Sequence, residues 1–473
     1  MVFSSTIFLF IFLPLVYILY LIAPKKARNY LLLIFSLVFY AWGEPIFVLI
    51  MLVSMVFNYS FALLIGHSKS AKAKKGWVVG AAVFNVALLV AFKYTGFIVA
   101  DIFNAAFGLN IPVPQIPLPI GISFFTFQIL SYVVDVYRGI IPAQKKFSNV
   151  ALSLAFFPQL IAGPIIKYHD IADQLDNRHL SAPEVAMGIR RFILGLSKKL
   201  LIANVLGAVA DKIFAVTPGD LSAPVAWLGA IAYTLQIYFD FSGYSDMAIG
   251  LGHMFGFKIM ENFNYPFVSA SINGFWKRWH ISLTTWFREY VYIPLGGNRK
   301  GLARTCLNMT IVFFLTGLWH GAAWTFLVWG LMHGFFMILE RLGVIRTEKN
   351  RKFRWLGVIY TLLIVIVTFT IFRSDTIGQG FSFIGAMFAG WQLDAAHLSV
   401  LGQAVTPAAL AMLVIAIPAS LPIIPRIKLA VSGNAALAKG LNIAGYIAAF
   451  ILFAICVLAV SSGTYNPFIY YRF

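Results

Sequence analysis

Long apolar runs alternate with short polar clusters along almost the whole chain. A helix needs roughly 20 apolar residues to cross a hydrocarbon core of about 30 Å, and most of the runs approach that length. The pattern therefore predicts an all-α protein with roughly 10 to 12 membrane-crossing helices. The runs fall near residues 2–23, on either side of a turn at 42–45, up to about 100, and near 121–139, 148–166, 187–215, 224–252, 305–319, 322–342, 355–373, 399–419 and 440–462.

Composition and charge agree with a membrane protein. Of the 473 residues, 60% are hydrophobic and only 11% are charged, whereas charged residues make up roughly 25% of a soluble domain. The net charge of +19 comes from short Lys and Arg clusters between apolar runs, which is typical of cytoplasmic loops and argues against nucleic-acid binding. The clusters at 25–28 and 69–75 predict that the N-terminus lies outside the cytoplasm. Cys306 and Cys456 lie beside or within apolar runs, which favours packing over a disulfide.

The longest polar interruption, 258–304, is unusually aromatic. On a helical wheel, most apolar residues of 275–290 gather within an arc of about 120°, which predicts an amphipathic helix at the membrane interface or folded back into the protein. His280 falls at the edge of this arc. The glycine turn 294–301 that follows carries two cations, which suits either an anionic ligand on the cytoplasmic side or an ordinary inside-facing loop.

Two histidines, His320 and His333, lie in a hydrophobic stretch long enough to enter the membrane. An ionisable group at membrane depth is costly, so its default interpretation is functional. The alternative is a structural histidine that is hydrogen-bonded to a neighbouring carbonyl. No cluster of Cys, His and carboxylate residues supplies the ligands of a zinc site, so acid and base chemistry at His320 is the favoured hypothesis. The preceding run, 305–319, reaches only about 22 Å as a helix, which predicts that His320 lies within the membrane.

Several long motifs resemble those of the membrane-bound O-acyltransferase (MBOAT) family. The strongest are RWHISLTTWFREYVYIPLGGNRKG (278–301) and GLWHGAAWTFLVWGLMHG (317–334). Other stretches also resemble the family: SYVVDVYRG (131–139), FFPQLIAGPIIKYHDI (156–171), IYFDFSGYSDMAIGLGHMFGF (237–257) and NPFIYYRF (466–473). The resemblance covers essentially the whole chain. Within the family it is closest to the AlgI-type O-acetyltransferases of alginate and other polysaccharides.

The resemblance implies a single membrane-embedded acyltransferase domain over 1–473, with a ring of tilted helices around a central tunnel. The segment 258–304 would be cytoplasmic or re-entrant, and 305–342 a helical hairpin carrying the catalytic base, His320. His280 would orient His320 or hydrogen-bond the developing oxyanion. An apolar pocket favours the neutral imidazole that a general base requires.

The resemblance also implies the substrates. Acetyl groups would pass from cytosolic acetyl-CoA to an extracellular or periplasmic polysaccharide, directly or through a partner protein, at the bacterial cytoplasmic membrane and without a metal. The residues expected on the acyl-CoA side are Trp279, Arg288, Asn298, Arg299 and Lys300. Those expected to line the tunnel are Asp240, Ser242, Tyr244, Asp246, Trp319 and Trp324. For the polar cluster on 240–246, helix packing is an alternative explanation.

Two other functions stay open at this point. A DltB-like member of the same family would transfer D-alanine to a cell-envelope polymer, although the length and the 278–301 motif favour the AlgI type. A transporter or flippase of a lipid-linked glycan would need ionisable groups across several helices. Here the residues that indicate function concentrate around His280 and His320, which disfavours transport.

Overall fold

The structure, a computed structural model, describes residues 1–346 and 353–463. These residues form helices and connecting loops, and none of them lies in a β-strand. The predicted all-helical polytopic membrane fold is thereby confirmed. The terminal motif 466–473 lies outside the described residues.

The helices follow one another with mostly short connections. In the first part of the chain they are α1 (Phe8–Ile22), α2 (Arg28–Ala41), α3 (Phe47–His67), α4 (Ala71–Phe107), α5 (Ile122–Arg138), α6 (Phe147–Ala155), α7 (Tyr168–Asn177), α8 (Ala182–Phe214) and α9 (Ala223–Met254). In the second part they are α10 (Ile272–Trp276), α11 (Ile281–Phe287), α12 (Gly301–His320), α13 (Trp324–Leu342), α14 (Arg354–Arg373), α15 (Ile377–Phe388), α16 (Ala395–Ala404), α17 (Pro407–Ala419), α18 (Ile423–Val431) and α19 (Ala435–Ser461). Short helical turns lie at Phe157–Leu160, Pro218–Asp220, Pro266–Val268 and Arg288–Tyr292.

Contacts group the chain into two compact units. The first contains Met1–Phe192 and Met247–Met260. The second contains Ile193–Asp246 and the described residues from Glu261 onward. Every candidate catalytic residue belongs to the second unit. The expected single domain stays a prediction.

Seven helices of the described ranges are long and apolar enough to cross a membrane: α3, α4, α8, α12, α13, α14 and α19. The pair α16 and α17 makes an eighth if its two parts, bent by 76°, form one span. Helices α1, α2 and α15 are apolar but shorter. The predicted 10 to 12 crossings included runs that are not among these seven helices, such as 2–23, 121–139 and 224–252.

Two predicted continuous spans are wrong because prolines interrupt them. The run 148–166 ends as a helix at Ala155, and Phe156, two residues before Pro158, has a non-helical ψ of 108°. The run 399–419 breaks at Thr406, which is extended (ψ 161°) directly before Pro407. Thr406 directly precedes a proline, and such a residue is driven out of the helical region by its steric clash with the ring. Pro158 instead interrupts the helix because it has no N–H to donate and its ring clashes with the carbonyl group four residues earlier.

Two of the sequence motifs meet in the first unit. The carboxylates of Asp135 on α5 and Asp170 on α7 flank His169, at 2.7 and 3.3 Å from its ring nitrogens. Hydrogen bonds to these carboxylates raise the pKa of His169 to about 9. The imidazole is therefore charged at neutral pH, and it holds α7 against the buried end of α5.

Helices α12 and α13 approach each other closely through glycines. A Cβ atom on Gly317 would lie 2.6 Å from the carbonyl oxygen of Phe326, and one on Gly330 would lie 2.4 Å from that of Phe313. Small residues at such positions let two membrane helices pack backbone to backbone. The close packing fixes the end of α12, and therefore His320, against α13.

Helix α12 is longer than the sequence indicated. It begins at Gly301 and has 20 residues, which is about 30 Å rather than about 22 Å. The length argument for the depth of His320 is therefore wrong, because the polar start of the helix was left out of the count. His320 is buried in the protein, with 6% of its surface exposed, and its position within the membrane stays a prediction.

Candidate active site

The aromatic segment around His280 forms two short helices, α10 and α11, instead of the continuous helix predicted over 275–290. The break is at His280, whose φ of 46° lies in the left-handed region, which non-glycine residues seldom occupy. Of the predicted apolar arc, Tyr290 is only half-buried, and the other residues are buried all the same: Phe275, Trp276, Trp279, Leu283, Trp286 and Phe287. The segment is thus folded into the protein, which was one of the two predicted alternatives.

Asn262 holds the chain at this break. Its main-chain carbonyl accepts a hydrogen bond from the N–H of Ile281 at 2.9 Å. Its side-chain Oδ1 accepts from the N–H of Ser282 at 3.1 Å and from the Ser282 hydroxyl at 2.9 Å. Asn262 therefore satisfies two of the free N–H groups at the start of α11, which explains why a helix can begin directly after a left-handed residue.

His280 is fully buried, with 0% of its surface exposed. Its Nδ1 lies 3.3 Å from Oδ1 of Asn262 and 3.5 Å from the Ser282 hydroxyl. The edge of its ring meets Phe241, with the ring centroids 4.7 Å apart. Its Nε2 is buried and has no hydrogen-bond partner within 1–346 and 353–463. A buried polar atom of this kind calls for an explanation, and a bound substrate is one.

His320 is the last residue of α12, and aromatic rings surround it. Trp319 and Trp329 meet the imidazole edge to face at centroid distances of 4.9 Å each, and Phe372 does so at 5.4 Å. These rings come from α12, α13 and α14. They form a desolvated wall around the imidazole, in which electrostatic interactions with a reacting group are stronger than in water.

Trp319 brings the two histidines into one site. Its indole ring contacts His280 at a centroid distance of 5.7 Å and His320 at 4.9 Å. The tryptophan is itself buried. The structure thus places His280 and His320 against the same aromatic residue, although one lies in the break before α11 and the other ends α12.

His333 has both ring nitrogens engaged, in contrast to His280. The indole N–H of Trp276, which can only donate, lies 3.3 Å from Nδ1. Nε2 therefore carries the proton and donates to the Thr368 hydroxyl at 3.0 Å. These contacts support the structural interpretation of His333.

The polar patch on α9 contains two ion pairs. Asp240 lies 2.6 Å from the ammonium of Lys199, and Asp246 lies 2.6 Å from that of Lys198. The other buried polar side chains of this stretch are Ser242, Tyr244 and Ser245. The ion pairs compensate the charge of the two carboxylates, and a tunnel-lining role for the patch stays a prediction.

A cavity of about 810 Å³ lies between the α10–α11 segment and helices α12 and α13. Its lining is apolar at Ile281, Leu283, Phe287, Met309, Phe313 and Met337, and cationic at Lys277, Arg288, Arg341 and Arg346. Asn298 also lines the cavity. The carboxylate of Glu340 accepts hydrogen bonds from the N–H groups of Ile272 and Asn273, at 2.6 and 3.0 Å. An apolar space with exposed cations suits an amphiphilic ligand that carries negative charge.

The remaining predicted residues do not line this cavity. Arg299 and Lys300 are exposed in the turn before α12 and do not line the cavity. Trp279 is buried among Phe263, Phe275 and Phe369. Trp324 is 47% exposed at the start of α13.

The comparison with known proteins decides the family. The profile of the membrane-bound O-acyltransferase family matches residues 146–374. The chain is 41% identical to the probable alginate O-acetylase AlgI of Azotobacter vinelandii, over 100% of both chains. It belongs to the membrane-bound O-acyltransferase family. The family resemblance seen in the motifs, and the assignment as an acyltransferase, are thereby confirmed.

Two further relatives show how the similarity falls off within the MBOAT family. The peptidoglycan O-acetyltransferase of Helicobacter pylori is 34% identical, over 84% of this chain and 82% of its own length. The teichoic acid D-alanyltransferase of Bacillus subtilis is 28% identical, over 53% of this chain and 65% of its own. Similarity to the acetyltransferases therefore extends further along this MBOAT chain.

Sequence reasoning missed three parts of this site. It missed Asn262, which anchors the break at His280. It also missed the wall formed by Trp329 and Phe372, and the lysines that pair with the carboxylates of α9. The stretch 258–264 contains two asparagines besides Lys258 and Glu261, and nothing in its sequence distinguishes Asn262 from Asn264.

Proposed function

We propose that this acyltransferase moves acetyl groups from cytosolic acetyl-CoA to hydroxyl groups of an extracytoplasmic polysaccharide, directly or through a partner protein. The observation that carries the proposal is the contact of Trp319 with both His280 and His320. Relatives that cover most of this chain support it, since their names specify acetyl transfer to alginate or to peptidoglycan.

His320 acts as the general base in the proposed reaction. It accepts the proton of the acceptor hydroxyl while the hydroxyl oxygen attacks the acetyl carbonyl carbon. The new oxygen–carbon bond forms, the carbon–sulfur bond of the thioester breaks, and the departing thiolate takes the proton from the imidazolium. Burial among Trp319, Trp329 and Phe372 supports this role, because it keeps water from competing with the acceptor.

The proposed donor site is the cavity that Arg288 and Asn298 line. Its cations suit the phosphate groups of coenzyme A, and its apolar lining suits the rest of the molecule. Thr316 lines the same cavity one helical turn before His320, about 6 Å along the helix axis. A donor in this cavity would thus have its phosphates at the exposed cations and its thioester toward the histidines.

The proposal places the protein in the bacterial cytoplasmic membrane with its N-terminus outside. Lys and Arg clusters at 25–28 and 69–75 would face the cytoplasm. By the same rule, the Lys and Arg residues of 277–304 would face the cytoplasm, the side from which acetyl-CoA arrives.

We expect Arg288→Gln to raise the KM for acetyl-CoA by about fivefold, which corresponds to about 1 kcal/mol for one exposed charge contact. The turnover number should change little, because the contact is made equally in the ground state and the transition state. The measurement is the initial rate against acetyl-CoA concentration with purified protein in proteoliposomes.

The matched control is Arg299→Gln, which removes the same group from a nearby position outside the cavity lining. Its KM should remain within about twofold of wild type, since surface substitutions away from a site have small effects. Equal increases in both variants would exclude the cavity as the donor site.

The function itself is tested with labelled acetyl-CoA and proteoliposomes, to which extracts containing candidate polymers and partner proteins are added. We expect the label to move to a polymer, or to a protein that passes it to a polymer, only when this protein is present. Transfer of D-alanine in place of acetyl would contradict the proposed donor. In a strain lacking the protein, loss of polymer export with acetylation intact would instead indicate a transporter.

A further inference from the structure

The hydrogen bonds of Asn262 determine which nitrogen of His280 carries the proton. The main-chain N–H of Ser282 can only donate, and it lies 3.1 Å from Oδ1 of Asn262. This contact identifies that atom as the carbonyl oxygen of the amide. The amide nitrogen then points to the Ser245 hydroxyl, at 3.2 Å.

The same oxygen faces Nδ1 of His280 at 3.3 Å. The Ser282 hydroxyl donates to this oxygen at 2.9 Å and lies farther from Nδ1, at 3.5 Å. Because an amide oxygen can only accept, we assign Nδ1 as the donor of the 3.3 Å contact, and it therefore carries the proton. In the neutral imidazole the other nitrogen, Nε2, then has a lone pair and no hydrogen. Nε2 is the buried atom that has no hydrogen-bond partner in the described part of the chain.

We propose that Asn262 is a positioning residue that holds His280 protonated on Nδ1, so that its Nε2 works in acyl transfer as a hydrogen-bond acceptor. His280 then orients a group at the reacting centre that carries an N–H or O–H. It does not donate to the oxyanion of the tetrahedral intermediate, because its only proton is committed to Asn262. This inference rests on the proposed function and removes one of the two roles that the sequence left open for His280.

The backbone supports this assignment independently. The left-handed conformation of His280, with φ 46°, costs energy and is kept only where the surroundings impose it. Asn262 holds His280 in this conformation through two hydrogen bonds. Its main-chain carbonyl accepts from the N–H of Ile281, and its side-chain oxygen accepts from the N–H of Ser282. One residue thus sets both the position and the tautomer of the imidazole.

Other ionisable groups lie on the elements around this site. On α9, Asp240 and Asp246 pair with Lys199 and Lys198. The others named on neighbouring elements are Tyr244 on α9, Glu261 beside Asn262, Lys277 and Arg278 before His280, and His320 on α12. A new charge at position 262 would act on His280 from within hydrogen-bond distance, since Oδ1 of Asn262 lies 3.3 Å from Nδ1.

The first test reads the tautomer directly and needs no activity. Nitrogen-15 spectra of protein labelled at its 8 histidines, with the His280→Gln spectrum used to assign the signal, should show Nδ1 protonated and Nε2 unprotonated at neutral pH. A signal from His280 with a proton on Nε2 would overturn the proposal.

The second test is the pH dependence of turnover in Asn262→Asp. The carboxylate keeps both acceptor contacts but adds a negative charge, which stabilises the imidazolium form of His280. The unprotonated form then exists only at higher pH, so the acidic limb of the turnover profile should move to higher pH by about one unit or more. Asn262→Ala should lose turnover with little change in the KM for acetyl-CoA.

The matched control is Asn264→Asp, the same substitution at an exposed position two residues away. Its profile should coincide with wild type. A purely structural role of Asn262 would lower turnover in Asn262→Asp and leave the profile in place, and that result would overturn the proposal. Absence of transfer by the wild-type protein would instead refute the proposed function, while the nitrogen-15 result would still decide the tautomer.

Discussion

Replacing His320 by alanine is expected to slow acetyl transfer by about 100-fold to 10,000-fold, the usual range for loss of a positioned general acid or base. The loss should appear in turnover and leave the KM for acetyl-CoA nearly unchanged, because the proton is transferred only on the way to the transition state. The assay is single-turnover transfer of labelled acetyl in proteoliposomes. His320→Gln keeps more of the side-chain volume and should lose a similar amount of activity. This variant shows that the loss does not come from the cavity that alanine leaves.

His333→Ala is the control for this prediction. His333 is also a fully buried histidine, and it also contacts Trp329, at a centroid distance of 5.3 Å. Its replacement should lower stability, since the indole N–H of Trp276 loses its acceptor. Turnover per folded molecule should stay within a few-fold of wild type. A folded His320→Ala protein that still transfers acetyl at the wild-type rate would refute the assignment.

Asp240→Ala is expected to lower the free energy of unfolding by about 3–5 kcal/mol, because it removes one partner of a buried ion pair. The side chains of Lys199 and Asp240 are only 5% and 2% exposed, and their charged atoms lie 2.6 Å apart. Without the carboxylate, the lysine must lose its charge or draw water into the helix packing. The measurement is the midpoint of thermal unfolding of purified protein in detergent, followed by tryptophan fluorescence.

The neighbouring pair provides the comparison. Asp246 and Lys198 make the same 2.6 Å contact, but their side chains are 11% and 28% exposed. Asp246→Ala should therefore lower the free energy of unfolding clearly less than Asp240→Ala does, since water screens the lysine that remains. The double substitution Lys199→Met with Asp240→Leu should recover most of the lost stability, because no charge stays buried. Equal losses from Asp240→Ala and Asp246→Ala would contradict this account.

The two histidines could be found from the sequence because each lies in a long motif with rare residues. His320 is an imidazole in an apolar run, which indicates function. His280 lies in an aromatic segment that is too polar to cross the membrane, which indicates an interfacial or folded-back segment. Asn262 could not be found in this way. It lies 18 residues before His280, and only the folded chain brings the two together.

The pattern of apolar residues that predicted one helix over 275–290 could not show the break at His280. A helical wheel records which residues are apolar, and Phe275 and Trp286 are buried whether one helix or two carry them. The φ of 46° at His280 depends on hydrogen bonds from a distant residue. No local periodicity reports such a contact.

The expected donor side was only partly predictable for a similar reason. The family resemblance grouped Arg288 and Arg299 on the acyl-CoA side, and both lie in the motif 278–301. Gly296 and Gly297 both have positive φ, 109° and 55°, and turn the chain sharply between them. After this turn Asn298 lines the cavity, whereas Arg299 next to it does not, and the cavity takes its other arginines from the end of α13 and the residues that follow.

Gly321, which follows His320, bears on how loss-of-function variants should be interpreted. A Cβ atom there would lie 2.2 Å from the ring of Phe326. That ring packs edge to face on Phe372, which in turn contacts His320. A substitution at 321 would thus disturb the imidazole through two phenylalanines, although glycine offers no group for chemistry. Genetic screens that score only lost acetylation would count this position with the reacting residues, and kinetics would be needed to separate them.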